Sequence, residues 1–306
     1  MIKFTVRYTL EDLPFIPNGR AVALGMFDGI HDGHLDIIRD LVRYASANRK
    51  LSCVTTFINL PKSEAGALTT IEERIKILSE LGVDELLILD YNAVKDVDPV
   101  DFIMDFINIR MSACAVFAGF DFRFGKDALG DADMLTSKCE QMGIEVKIHE
   151  ARMMDGRKIS SEWLKECLRD GKPDLYAKLC SGRNFAYEGI VVKGKQLGRT
   201  LGFPTANVVI PSDKFVVRRG VYATCVYLGN RKLYGVTNIG LRPTVEDADR
   251  ELCETYIFDF DEDIYGALIR VELFKFIRDE KPFSGVDELK EAVEENKRQV
   301  LKLFGM

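Results

Sequence analysis

Between residues 20 and 148 the chain alternates short apolar runs with stretches of helical spacing, and few folds can be built from that alternation. Residues 20–24 read as a strand, and 34–47 as a helix through Leu35, Ile38, Leu41 and Val42. Residues 52–57 read as the next strand. Thr70-Ile71-Glu72-Glu73 is a capping box, in which a hydroxyl and a carboxylate satisfy amides that the first helical turn leaves open; it predicts a helix to Leu81. Residues 85–89 follow as a strand, and Asp98-Pro99 opens another helix with proline at its first position. Residues 114–118 and 145–148 complete the strands, and the alternation of Ile2, Phe4, Val6 and Tyr8 with polar residues adds one at the start. This pattern predicts an α/β, Rossmann-like domain: a doubly wound parallel sheet with helices on both faces. Such sheets bind ligands at the carboxyl ends of their strands, where strand order reverses.

The pattern changes after Arg169-Asp170-Gly171-Lys172-Pro173. A short helix is expected over 174–180, with Ser181-Gly182 as a boundary between domains 1–180 and 181–306. Strands are then expected at 186–192, 221–228, 232–238, 252–259 and 267–277, with Gly229-Asn230 as a hairpin turn. Short strands in close succession predict a small antiparallel β-barrel. Val286, Leu289, Val293, Val300, Leu303 and Phe304 form the apolar stripe of a terminal helix expected to pack over it.

Two stretches carry chemistry. In Gly198-Arg199-Thr200-Leu201-Gly202-Phe203-Pro204-Thr205-Ala206-Asn207, glycines let backbone approach a phosphate and Pro204 pins φ before Thr205. In extended geometry Thr205 and Asn207 point to one side, and a hydroxyl with an amide oxygen suits Mg²⁺. The other, Gly25-Met26-Phe27-Asp28-Gly29-Ile30-His31-Asp32-Gly33-His34, runs from a strand end into a helix, where amide N–H groups and the helix dipole favour phosphate. The chain has 3 histidines, and His31 and His34 are two of them. Paired imidazoles can stabilise the charge that develops at a phosphate undergoing displacement.

Composition narrows the partners. A net charge of −6 argues against nucleic acid, whose binding favours a basic face. No apolar run approaches a membrane span, and the first residues lack a signal-peptide core. The 7 cysteines are odd in number and none are closely spaced, which points to buried thiols in a cytoplasmic protein, not disulfides or a zinc site.

The run from Gly194 and Leu197 to Asn207 resembles the riboflavin kinase signature. The likeness continues through Gly220-Val221-Tyr222, Asn238-Ile239-Gly240, Arg242-Pro243-Thr244, Glu254-Thr255-Tyr256-Ile257 and Asp263-Ile264-Tyr265-Gly266. The segment from Gly25 to His34 resembles a nucleotidyltransferase signature. Leu68-Thr69-Thr70, Glu72-Glu73-Arg74, the run Gly119 to Gly125 and Ile159-Ser160-Ser161 narrow it to the FMN adenylyltransferase domain fused to riboflavin kinase in bacteria.

The resemblance implies that riboflavin and MgATP give FMN in the second domain, and that FMN and ATP give FAD and pyrophosphate in the first. Glu254 would be the general base and Thr205 and Asn207 would hold Mg²⁺ and ATP phosphates. The segment 194–202, with Gly194, Gly198, Arg199 and Gly202, would form a flap, and Asn238 and Arg278 would lie near the flavin. His31 and His34 would stabilise the α-phosphate, with Gly25, Asp28 and Gly33 shaping that phosphate site. Asp121 and Arg123 would line the flavin side, while Ser160, Ser161 and Lys165 would contact pyrophosphate. The first domain departs from the family pattern at Leu60, where histidine is usual, and at Glu162 and Lys165, where threonine and arginine are usual. Lysine does not reproduce arginine's planar fork. These departures predict slower adenylylation and leave open a riboflavin kinase whose first domain is weakened or regulatory. His149, outside every block, is expected at the surface, and Trp163 in a packing position.

Overall fold

The computed structural model describes residues 4–9, 14–17, 19–58, 66–194, 198, 201–242 and 250–306. Two compact units emerge, Met1–Ser161 and Glu162–Met306.

The first unit contains strands β1 (Thr5–Arg7), β2 (Arg20–Ala23), β3 (Leu51–Ile58), β4 (Glu85–Asp90), β5 (Ala113–Gly119) and β6 (Glu145–His149). They form a 6-stranded sheet in the order β1-β4-β3-β2-β5-β6, parallel at every pairing. From β2 the chain steps outward through β3 and β4, then returns to lay β5 on the other side of β2. That reversal opens a crevice between the carboxyl ends of β2 and β5.

Alternation along β2 sends Ala21 and Ala23 to one core and Val22 to the other. The first core receives Leu35, Ile38 and Leu41 of α1 (Asp32–Asn48) and Leu78 of α2 (Ile71–Glu80). Both halves of the capping box form at α2: Glu73 N–H donates to Thr70 Oγ1 at 3.2 Å, and Thr70 N–H to Glu73 Oε2 at 2.8 Å. After the short helix α3 (Tyr91–Val94), Asp98 caps α4 (Pro99–Asp101), which continues as a wider π-helical stretch, Phe102–Arg110. The wider turn buries Phe102, Ile103, Phe106 and Ile107 together in the second core. Helix α5 (Ala132–Gln141) was not anticipated, because its buried residues are only Leu135 and Cys139, too few to make a periodic stripe.

One buried ion pair ties three strands. Arg20 is fully buried in β2, and its Nε donates to Glu85 Oε2 at 2.6 Å. Glu85 also accepts from Arg7 Nη2 at 3.1 Å, and Arg20 Nη1 donates to the Met111 carbonyl at 3.0 Å.

In the second unit, α6 (Ser161–Arg169) and α7 (Pro173–Leu179) precede β9 (Phe185–Val192), the two-residue strands β7 (Met153–Met154) and β8 (Arg157–Lys158) belonging to a hairpin of the first. Strands β9, β10 (Thr205–Val209), β11 (Gly220–Leu228), β12 (Arg231–Arg242), β13 (Arg250–Ile257) and β14 (Leu268–Arg278) close into an antiparallel barrel, order β10-β13-β12-β11-β14-β9. The hairpin at Gly229-Asn230 joins β11 to β12 as expected. Strand β10 had no separate place in the strand reading, because it is 5 residues long and follows a Gly/Pro-rich run.

The units divide ahead of the boundary expected at Ser181. Tyr176 and Leu179 of α7 are buried, and the Tyr176 ring meets Phe185 of β9 edge-on at 5.6 Å. The terminal helix, Val286–Leu303, packs Val300, Leu301 and the following Phe304 against Val221, Ala223 and Val236. Its stripe is narrower than expected, since Val286 and Leu303 are exposed. Trp163 is buried, and all seven cysteines are thiols, six buried and Cys114 half-buried. Among the described residues no helix is long and apolar enough to cross a membrane.

Removing Glu85 leaves the Arg20 charge buried without compensation. Glu85→Ala should therefore lower stability by about 3–5 kcal/mol in urea unfolding. Glu85→Ala combined with Arg20→Met should recover much of that loss. A single variant within 1 kcal/mol of the parent, on the order of a surface change, would refute the role of the pair.

Candidate active sites

A cavity of about 650 Å³ opens at the carboxyl ends of β2 and β5. Its floor is the turn from β2 into α1. Phe27 (φ 48°) and Ile30 (φ 40°) adopt left-handed backbone without being glycine, and both side chains are buried. Burial of two large apolar groups offsets the strain, on the order of 1–3 kcal/mol per residue. A Cβ on Gly25 would meet the Phe27 ring at 3.1 Å, so the chain approaches closely there.

The turn is clamped from behind. Asp28 accepts from the amides of Leu68 (3.1 Å) and Thr69 (3.0 Å), and Arg74 Nη2 lies 3.4 Å from its Oδ1. Arg74 also donates to Thr69 Oγ1 at 3.1 Å and to Thr56 Oγ1 at 2.8 Å, while Thr56 donates to the Met26 carbonyl at 2.7 Å. Burial pulls the Arg74 pKa down and the Asp28 carboxylate opposes that pull; arginine keeps its proton in any case. Asp28 therefore faces away from the cavity, and its effect on a phosphate there would be exerted through the turn it holds. Ser161 closes the clamp by donating to the Asp28 carbonyl at 2.8 Å.

His31 is the N-cap of α1. Its Nδ1 accepts from the His34 amide at 3.3 Å, which places the ring proton on Nε2. The His31 and His34 rings stack at 3.7 Å between centroids. Gly33 stands in the first turn of α1, and a Cβ there would meet His31 Cε1 at 3.2 Å and Arg152 Cβ at 3.5 Å. Imidazole, the first turn of α1 and glycine backbone thus share one spot. Ser160 and Ser161 line the cavity too. Asp121 and Arg123 lie on its far wall, Asp121 paired with Lys158 and Arg123 with Asp131 at 3.2 Å.

Lys165 belongs to the second unit, is buried, and lines neither this cavity nor the one described next. Glu162 is held by Arg169 at 2.7 Å and also lies outside both linings. Leu60 and Arg199 fall outside the described residues. His149 is not a surface residue. It lines the first cavity, so all 3 histidines of the chain meet there. Lys158 and Arg152 were missed with it, because they follow β6 in a segment with no motif of its own.

A second cavity, about 380 Å³, lies in the barrel unit. Alternation along β10 brings Thr205 and Asn207 to its wall, and Glu254 on β13 sits opposite Asn207 in register. Asn238 on β12 pairs with Glu254 from the other side. Thr205 Oγ1 donates to Glu254 Oε1 at 2.7 Å, leaving the hydroxyl lone pairs open. Asn207 is buried, and its Nδ2 donates to the Thr205 carbonyl at 3.3 Å. A Cβ on Gly194 would strike that Nδ2 at 2.6 Å, so only glycine admits this approach. Gly198 lines the cavity, whereas Gly202 (φ 93°) turns the chain ahead of Phe203.

Arg278 donates from Nε to Asn296 Oδ1 at 3.2 Å, and Asn238 donates to Glu280 Oε1 at 3.0 Å. Glu280, Phe283 and Asn296 were not foreseen in this wall, since they come from the loop and helix after β14. Among the described residues no group of three or more His, Cys, Asp or Glu could hold a metal unaided. A cation here would need a shared shell of Thr205, Asn207, water and substrate phosphate, which is how Mg²⁺ is commonly bound.

The clamp has a direct readout. Asp28→Ala should raise amide hydrogen exchange at Leu68 and Thr69 by roughly tenfold or more, as buried donors to a charged acceptor lose their partner. Unchanged protection at both amides would mean that Asp28 does not hold the turn.

Comparison with known proteins adds to this geometry. Residues 14–163 match the FAD synthetase family model, and residues 181–304 match the riboflavin kinase model. A bifunctional riboflavin kinase/FMN adenylyltransferase of Bacillus subtilis is 32% identical over 293 residues, 92% of each chain. One of Escherichia coli K12 is 33% identical over 296 residues, 94% of each. A solved structure from Streptococcus pneumoniae, named as a macrolide-efflux protein, is 30% identical and superposes with a TM-score of 0.85, covering 97% of this chain and 98% of that one.

Proposed function

The chain belongs to the bifunctional riboflavin kinase/FMN adenylyltransferase family, and on that premise we propose how its two cavities divide the work. It is an enzyme of flavin cofactor synthesis: it phosphorylates riboflavin with ATP to FMN and adenylylates FMN with ATP to FAD and pyrophosphate. A kinase-only reading is not favoured, since both halves match their family models and the bifunctional relatives span both. The observation that carries the division is that each signature lines a cavity of its own. The kinase match begins at residue 181, at the proposed boundary 180/181, while α7 ahead of it falls in the same compact unit as the barrel.

In the barrel, Glu254 takes the proton of the ribityl 5′-hydroxyl as its oxygen attacks the γ-phosphorus and the bond to ADP breaks. Thr205 orients the carboxylate through the 2.7 Å hydrogen bond. The donor set fits Mg²⁺: two neutral oxygens, Thr205 Oγ1 and Asn207 Oδ1, with Asn207 held by its Nδ2 bond to the Thr205 carbonyl and Glu254 left as the base. When bound, Mg²⁺ would neutralise charge on the ATP phosphates. Gly194, Gly198, Arg199 and Gly202 belong to the segment that would cover those phosphates. Asn238 and Arg278 would meet the flavin.

In the first cavity an FMN phosphate oxygen attacks the α-phosphorus of ATP, and the bond to pyrophosphate breaks. His31 donates from Nε2 and, with His34, stabilises the charge on the α-phosphate. The positive end of the α1 dipole beside Gly33 adds to that stabilisation. Gly25 shapes the turn, Asp28 holds it, and Ser160 and Ser161 stand on the pyrophosphate side. Asp121 and Arg123 face the flavin. A role for Lys165 would require it to reach substrate from a buried position. The thiol state of the cysteines is consistent with a cytoplasmic enzyme.

Glu254→Gln should cut FMN formation by about 10²–10⁴-fold while leaving riboflavin binding near normal. Asn207→Ala should instead raise the Mg²⁺ concentration needed for half-maximal rate. Near-normal turnover of the Glu254 variant would place the base elsewhere. The double variant His31→Ala, His34→Ala should abolish FAD formation from FMN and spare FMN formation from riboflavin. FAD synthesis that survives loss of both imidazoles would overturn the adenylyl-transfer site.

A further inference from the structure

Arg152 stands at the rim of the first cavity, in the segment between β6 and the β7–β8 hairpin. Its Cβ lies 3.5 Å from where a Cβ of Gly33 would be, about as near as the His31 ring. The root of this side chain therefore sits over the first turn of α1, beside the His31 imidazole. Its guanidinium, however, is turned along the outside of α1, where Nη1 lies 3.8 Å from Asp36 Oδ2. That pair is long and exposed, with side chains 59% and 45% accessible, and so contributes little to stability.

Two other cations of the cavity are engaged more closely. Lys158 pairs with Asp121 and lies over the Phe120 ring at 4.6 Å, and Arg123 pairs with Asp131. One turn along α1, Asp40 faces His149 at 3.5 Å and Lys147 at 3.9 Å. Arg152 thus combines a root over the helix N-terminus with a weak, solvent-exposed partner. A guanidinium matches phosphate oxygens with two parallel N–H bonds, which a distant single-contact carboxylate does not use.

Taking adenylyl transfer to occur in this cavity, we infer that Arg152 is a substrate-phosphate ligand parked on Asp36. It leaves Asp36 when nucleotide binds and places its fork on the polyphosphate above Gly33. Asp36 is then a competitor for the guanidinium, and Glu150, which also lines the cavity, is the nearest other carboxylate by sequence. Removing the competitor should help the substrate, whereas a pair that merely braces the fold would be harmed by loss of either partner.

The test is steady-state FAD formation from FMN by the full chain at varied ATP, with FMN formation from riboflavin as the control. Arg152→Gln should raise the KM for ATP about tenfold or more, as expected for loss of a charge-assisted pair. Arg152→Lys should restore part of it. Asp36→Asn should lower that KM by about two- to fivefold, the worth of an exposed pair, and should have no effect in the Arg152→Gln background. The kinase control should not move. A KM unchanged by Arg152→Gln, or raised by Asp36→Asn, would overturn the role of Arg152. Loss of FAD in the His31, His34 double variant alongside either result would leave the cavity assignment standing and the Arg152 inference refuted by itself.

Discussion

The shape of the first cavity depends on the buried Asp28–Arg74 pair. A turn that places two imidazoles at a helix start must run through left-handed backbone at Phe27 and Ile30, and such a turn opens unless something holds it. Asp28 supplies that hold by accepting amides from Leu68 and Thr69, and Arg74 supplies the countercharge. The Arg74 guanidinium then reaches Thr56 at the end of β3, so sheet, turn and α2 share one network. A charge so buried must keep every partner, because an incomplete polar network costs more than none. Rigidity at the turn in turn fixes His31 against the first turn of α1, which is the geometry that its proposed role at phosphate requires.

The barrel solves a similar problem with strand register. Thr205, Asn207, Glu254 and Asn238 come from three neighbouring strands, and antiparallel pairing sets Asn207 and Asn238 on either side of Glu254. A slip of one residue in any of these strands would turn its polar side chain into the barrel wall. Buried Thr237 and Thr255 add a cross-strand hydroxyl contact of 2.8 Å that favours the observed pairing. Here the closed sheet does what the Asp28–Arg74 clamp does in the other unit.

Much of this was legible in the sequence because the signals are local. The capping box at Thr70, the alternating strands and the Gly/His turn each announce themselves within a few residues. Glu254 could be named, but its hydrogen bond to Thr205 depends on a register between distant strands. The role of Asp28 was half visible: its place in the turn could be read, but its partners lie on a loop some forty residues away (Leu68 is 40 positions on). His149 and Arg152 were not legible as site residues. His149 ends β6 and Arg152 follows it in a segment with no motif, and only the parallel sheet brings that strand end beside β5. At the terminal helix, helical period alone admitted Val286 and Leu303 to the stripe, whereas both are exposed and the packed residues are Val300, Leu301 and Phe304.

The central claim is that one chain carries both reactions, with separate chemistry in each unit. It is tested most directly by chromatography of products over time from the intact protein with riboflavin, ATP and Mg²⁺. The account predicts FMN appearing first, followed by FAD formed from it. FMN with no FAD at any time, Mg²⁺ concentration or flavin concentration would contradict it.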